Sequence, residues 1–145
     1  MATTTAAITL TSSDLLTNAL ALSASMTLYQ GGTTATGLEE FRMERFKIAT
    51  GTQFDVIEAT TAASEDANYV YLINKNTDPT HYVIISLWDV VVGRLYAGDW
   101  MFIPWSQTDE SADIEVAATN WTASTGDIPV EYALFHEDTD FLTNA

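Results

Sequence analysis

The residues of this sequence best suited to catalysis or metal binding are its two histidines and its carboxylates. His81 follows the stretch NTDPT, which contains Asp78, and His136 lies in the stretch ALFHED. Histidines with carboxylates can hold a metal ion or transfer protons, but closely spaced ligands such as an HxH pair do not occur here. We therefore interpret Asp78 as a turn residue and His81 as a strand start, and predict no catalytic residue, cofactor or metal. A metal-dependent barrel enzyme is the alternative, and it requires the two histidines to converge.

Other catalytic signatures are also missing from the sequence. There is no cysteine, which excludes disulfides, thiolate catalysis and cysteine-bound zinc. Neither GxSxG nor SxxK occurs, and the glycines never form GxxxxGK or GxGxxG. Residues 109–113 and 137–140 are acidic and could bind Ca²⁺, but neither matches an EF-hand loop, so we interpret both as solvated loops.

Aromatic side chains are the remaining feature with a chemical use. The chain has four tryptophans, six tyrosines and six phenylalanines. Rings in such numbers fill sandwich cores, form subunit interfaces or line carbohydrate-binding clefts. In WMFIPW, residues 100–105, both faces are apolar, as in a strand covered by a second sheet or by a neighbouring subunit. We predict core and interface roles for these rings, with a carbohydrate platform as the alternative.

Charge and length narrow the function classes further. The chain has 145 residues, which suits one domain, and 20 acidic against 5 basic residues give a formal net charge of −15. Binding to nucleic acid or to anionic membranes depends on Lys and Arg, so both partners are disfavoured. The sequence has no apolar run of about 18 residues and no export signal. We expect a soluble protein made in the cytoplasm.

The pattern of residues predicts an all-β protein. Short apolar and β-branched runs recur every 8–12 residues with Gly, Pro, Asn and Asp between them, as in sandwiches. Leucine, alanine and methionine alternate with small residues over 19–30, which predicts a half-buried strand. Residues 38–49 are ambiguous between helix and strand, and their alternation favours strand. We interpret residues 69–88 as a hairpin, and place Pro104 and Pro129 at edges, bulges or strand ends.

These elements predict an antiparallel, jelly-roll-like β-sandwich with an extended N-terminal arm. Residues 1–17 are the arm or edge strand, because short polar side chains bury little surface by themselves. Residues 18–145 form a single sandwich domain.

Four stretches of the sequence resemble small virion structural proteins of tailed bacteriophages. They are YVYLINKNTDPTHYVIISLW, GRLYAGDWMFIPW, DIEVAATN and VEYALFHED. The resemblance implies a non-enzymatic role on the virion. The size, charge and arm favour a head decoration (cement) protein, which binds the major capsid protein or other virion proteins as a symmetric homo-oligomer, with a trimer favoured. A tail, baseplate or fibre-associated subunit, structural or carbohydrate-binding, is the alternative.

Two groups of residues are the predicted contacts of such a protein. The first belongs to the arm, and the second consists of those tryptophans that prove to be exposed. The candidates are Thr3, Thr5, Ile8, Leu10, Trp88, Trp100, Trp105 and Trp121.

Overall fold

Strands make up the regular structure of the described part of the chain. The computed structural model describes residues 3–14, 20–30, 33–38, 40–49, 51–57, 68–105, 113–118 and 127–136. In these residues it contains no helix. The strands are β1 (Thr4–Ser12), β2 (Leu20–Leu28), β3 (Glu40–Ile48), β4 (Gln53–Ile57), β5 (Asn68–Asn74), β6 (Tyr82–Leu87), β7 (Val90–Tyr96), β8 (Trp100–Trp105), β9 (Ile114–Ala118) and β10 (Ile128–His136).

The last eight strands pair as nested hairpins. β3 pairs with β10, β4 with β9, β5 with β8 and β6 with β7, all antiparallel. Contacts of β10 with β5 and of β9 with β6 join these pairs into two sheets. The first sheet has the order β3-β10-β5-β8 and the second has the order β4-β9-β6-β7. Nested pairs rolled into two sheets are the arrangement of a jelly roll, so the predicted antiparallel sandwich is confirmed.

The core lies between the two sheets because the strands alternate in polarity. In β5 every second residue is buried, from Asn68 to Asn74, while the tyrosines between them are half-buried. β9 follows the same period. Successive side chains of a strand point to opposite faces, so each strand contributes one row to the interior. The core comprises Ile48, Val56, Ile57, Val70, Leu72, Val83, Ile85, Leu95, Trp105, Ile114, Val116, Ala118, Ile128, Val130, Tyr132 and Leu134.

The prediction of a hairpin over residues 69–88 is wrong. β5 pairs with β8 and β10 in the first sheet, whereas β6 pairs with β7 and β9 in the second. The connection between β5 and β6 therefore crosses from one sheet to the other. Its seven residues are enough to span the roughly 10 Å between packed sheets, and a two-residue turn would not be.

The two prolines lie where a missing N–H is tolerated. Pro104 belongs to β8, which is an edge strand with a neighbour on one side only. Pro129 is the second residue of β10, and the pairing of β10 with β5 begins one residue later, at Val130. Both positions agree with the prediction of edges or strand ends.

β1 and β2 form a separate antiparallel ribbon, and we call this pair the ribbon. The two strands pair along their whole length, from Thr4 opposite Leu28 to Ser12 opposite Leu20. The predicted strand near residues 19–30 is thus present, and residues 4–12 form a strand as well. The proposed division of the chain at residue 17 stays a prediction.

Candidate interaction surfaces

The turn that contains Asp78 and His81 is held together by its own side chains. The Asn76 carboxamide oxygen accepts hydrogen bonds from the N–H groups of Thr77 and Asp78, at 2.7 and 3.1 Å. Asp78 Oδ1 accepts from the hydroxyl and the N–H of Thr80, at 2.7 and 2.9 Å, and these bonds lower the pKa of Asp78. His81 Nδ1 lies 3.0 Å from the Asn76 amide nitrogen. Both residues therefore have the turn and strand-start roles predicted for them.

A second polar cluster lies on the edge strand β3. Glu44 accepts a hydrogen bond from Arg42 Nε at 2.9 Å and another from the Tyr132 hydroxyl at 3.0 Å. The bond from Arg42 holds the pKa of Glu44 below its ordinary value. Burial raises the pKa of Tyr132 to about 12. These three groups satisfy one another, so we interpret the cluster as the polar margin of the core.

Acidic side chains also gather on the outer face of the second sheet. Burial raises the pKa of Glu115, and the nearby carboxylates of Asp89 and Asp55 raise it further. Among the described residues, no group of three or more His, Asp or Glu side chains is placed to hold a metal ion. The acidic stretches 109–112 and 137–140, and the side chain of His136, lie outside the described residues. No helix in the described segments has the length and apolar character needed to cross a membrane.

The outer face of the first sheet is rich in aromatic rings. Tyr69 stacks on Phe102 with the ring centroids 5.6 Å apart, and Phe102 meets Phe135 at 6.2 Å. Tyr71 lies 6.2 Å from Trp100. The pairing of β3, β10, β5 and β8 puts these rings in adjacent rows. This face carries the apolar surface that a sandwich normally keeps inside.

The ribbon partly covers this aromatic face. A groove of about 290 Å³ lies between the two and is lined by Thr4, Thr5, Ala6, Ala7, Ile8, Leu28, Tyr71, Trp100, Phe102 and Phe135. Leu28, at the end of the ribbon nearest the sandwich, is fully buried. The base of the ribbon thus packs toward the aromatic rings.

Beyond its base, one face of the ribbon is apolar and mostly exposed, although its residues Ala6 and Ile8 also line the groove. The register places Ala6 opposite Met26, Ile8 opposite Ala24 and Leu10 opposite Leu22 on this face, which we call the apolar face of the ribbon. Leu10 is 51% exposed and Leu22 is 56% exposed. The other face carries Thr, Ser and Ala only. The alternation in residues 19–30 was expected to mark a half-buried strand, and instead most of its apolar side chains are exposed.

The predicted contact residues fall into three groups. Four of them, on or beside β1, are described and exposed: Thr3, Thr5, Ile8 and Leu10. Trp88 and Trp100 are 42% and 49% exposed. Trp105 is not among the exposed tryptophans predicted as contacts, because it is 5% exposed and belongs to the core. Trp121 lies outside the described residues.

Several exposed apolar residues were not singled out from the sequence. Leu22 and Met26 lie on the ribbon, and Phe41 and Met43 lie on the edge strand β3. Their alternation with small or polar residues was visible, but it indicates only that one face is apolar. It does not show whether another part of the chain covers that face.

Trp88 occupies an unfavourable backbone conformation. It is the first residue of the two-residue turn between β6 and β7, and its φ is +48°, a value that side chains with a Cβ disfavour. Glycine is the usual residue at such a position. A large exposed side chain that persists at a strained position indicates a use other than stability.

Replacing Trp88 by glycine is therefore expected to raise the free energy of unfolding by about 1 kcal/mol. The strain is removed, and the hydrogen bond from the N–H of residue 88 to the Asp113 carbonyl can remain. Urea denaturation measures the change. The matched control is Asp89→Gly, which adds the same flexibility at a position without positive φ and should lower stability. Destabilisation by both variants would show that Trp88 is retained for packing.

No protein family model matches this chain, and no characterised protein is significantly similar to it.

Proposed function

We propose that this chain is a non-enzymatic structural protein of a tailed-bacteriophage particle, and that it decorates the head as a symmetric oligomer. The observation that carries the proposal is the ribbon, which presents Leu10 and Leu22 to solvent on one uncharged apolar face. Exposed apolar patches of this kind mark contacts with other proteins. The sequence resemblance to phage virion proteins supports the particle as its setting.

The jelly-roll topology agrees with this proposal without deciding it. Viral capsid domains use the fold, and so do lectins and cupins. A fold does not fix a function, so the support for decoration comes from the exposed apolar surfaces. Trp88 adds to that argument, because it combines exposure with backbone strain at the tip of the β6–β7 hairpin.

Decoration would work through repetition. Each copy offers a small contact area to the head, so a single contact holds weakly. A head lattice offers the same contact many times, and an oligomer that binds several sites at once gains avidity without any new contact. The acidic charge of −15 keeps unbound copies from associating non-specifically.

The deciding experiment uses heads of the encoding phage that lack this protein. Purified protein should cosediment with them to a fixed number of copies per head and raise the temperature at which they release DNA. Deleting residues 2–17 should reduce the occupancy severalfold, with circular dichroism verifying that the sandwich is intact. Trp88→Gly should bind less well although it folds more stably. The proposal fails when the intact protein does not cosediment at any concentration.

A carbohydrate-binding subunit of the tail or baseplate is the second candidate. The paired rings of Tyr71 and Trp100, which line the groove between the ribbon and the first sheet, favour it, because sugars stack on such rings. Titration with host polysaccharide should then shift the tryptophan fluorescence. A flat response across host glycans contradicts this candidate.

A further inference from the structure

We infer that the apolar face of the ribbon binds the ribbon of a second copy of this chain. The inference rests on the proposed function in one respect, since it names the contact surface of the proposed oligomer.

Charge is the first argument for a second copy as the occupant. A protein with a formal charge of −15 repels its own copies across most of its surface. β1 and β2 contain no Asp, Glu, Lys or Arg, so the ribbon is an uncharged surface on a highly acidic chain. Two copies can meet there with the least repulsion. A basic partner would instead be drawn to the acidic surfaces elsewhere.

Shape is the second argument. On the apolar face the large side chains of Met26 and Ile8 lie beside the small side chains of Ala6 and Ala24. Each alanine leaves a hollow next to a projecting side chain. A second ribbon carries the same projections and the same hollows, so two apolar faces can interlock in the manner of packed sheets. A surface that complements itself is what a two-fold interface requires, so this contact joins copies in pairs and is not the contact around the three-fold axis of a trimer.

The area sets the expected strength. Nine residues per strand give a ribbon about 30 Å long and about 10 Å wide, and because its base is covered the free footprint is below roughly 300 Å² on each copy. Two footprints are well below the roughly 1,600 Å² of a standard interface. The contact should therefore be transient in solution and should strengthen when other contacts hold the copies together.

The test compares two single substitutions on the same strand. Leu22 and Ser23 are neighbours, both exposed, and they lie on opposite faces of the ribbon. Leu22→Glu and Ser23→Glu each add one negative charge, but only the first places it on the apolar face. Sedimentation equilibrium from about 5 to 300 µM measures the dissociation constant, and circular dichroism verifies folding.

The intact protein should associate reversibly in the micromolar range, and more strongly in 0.5 M NaCl, which screens repulsion. Leu22→Glu should raise the dissociation constant at least tenfold, while Ser23→Glu should change it less than twofold in the high-salt buffer. Leu10→Glu and its control Thr9→Glu should repeat this difference on β1. A monomer at all concentrations, or equal effects of the two members of a pair, overturns the inference.

The outcome is separable from that of the head-binding experiment. Association through the ribbon without binding to heads would refute decoration and keep the inference. Binding to heads by copies that never associate through the ribbon would do the opposite.

Discussion

Replacing Trp105 by alanine is expected to lower the free energy of unfolding by about 3–5 kcal/mol, the usual range for a buried tryptophan. Trp105 ends β8 and packs in the core between the two sheets. Its removal leaves a cavity that the stiff surrounding strands cannot fill. Urea denaturation followed by circular dichroism measures the loss.

Trp100→Ala is the matched control, because the same residue type is lost from the same strand. Trp100 begins β8 and points to the outer face, where its closest described ring neighbour is Tyr71. Its loss should cost about 1 kcal/mol or less. Comparable costs for the two variants would contradict the assignment of Trp105 to the core.

Replacing Asn74 by leucine, which has a similar volume, is expected to cost about 2–4 kcal/mol. Asn74 is fully buried at the end of β5. Its side chain donates to the Leu95 carbonyl at 3.0 Å and accepts from the Asn76 N–H at 2.9 Å. Its backbone exchanges hydrogen bonds with the turn between β7 and β8, with Asp99 and Gly98. Asn74 therefore ties the crossing connection to the opposite sheet, and leucine would leave buried polar groups without partners.

Asn76→Ala is the comparison for this second variant. Asn76 is the same residue type in the same connection, but it is partly exposed, so water can replace its lost bonds. Its loss should cost about 1 kcal/mol. Chemical denaturation of both variants gives the difference. If leucine at position 74 cost no more than alanine at position 76, the role of Asn74 in joining the sheets would be wrong.

The sequence predicts the strands well because alternation has a direct physical cause. In β5 and β9 inward and outward residues differ at every step, and the burial follows that order. Residues 38–49 gave conflicting signals, since Glu, Arg and Lys suit a helix. Phe46 and Ile48 alternate with charged neighbours, and this alternation correctly favoured a strand.

The sequence predicts strand partners poorly, and residues 69–88 show why. Alternation indicates which face of a strand is apolar, but it does not indicate which strand lies beside it. A connection of seven residues can close a hairpin or cross between sheets. The alternation of β5 puts Asn74 on the same face as Val70 and Leu72, and an amide buried there needs hydrogen-bond partners within the fold.

The candidate surfaces were predictable only in part. Ile8, Leu10, Trp88 and Trp100 were identified as contacts from their residue types. Trp105 was a candidate contact only if exposed, and the pairing of β8 with β5 turns its side chain inward. The sequence predicts Leu22 and Met26 as half-buried, because alternation looks the same whether or not the chain covers its own apolar face.

The nested pairing of the sandwich also sets an order of events during synthesis. β6 and β7 are joined by a two-residue turn and can pair at once, whereas Arg45 of β3 and Glu131 of β10 are 86 residues apart in the chain. Distant pairs close slowly because the loop entropy is lost before the contacts form. β10 lies between β3 and β5, so neither strand has its central neighbour until residues 128–136 have left the ribosome. Both strands of the ribbon lie within residues 4–28, so they leave the ribosome long before the strands that complete the core.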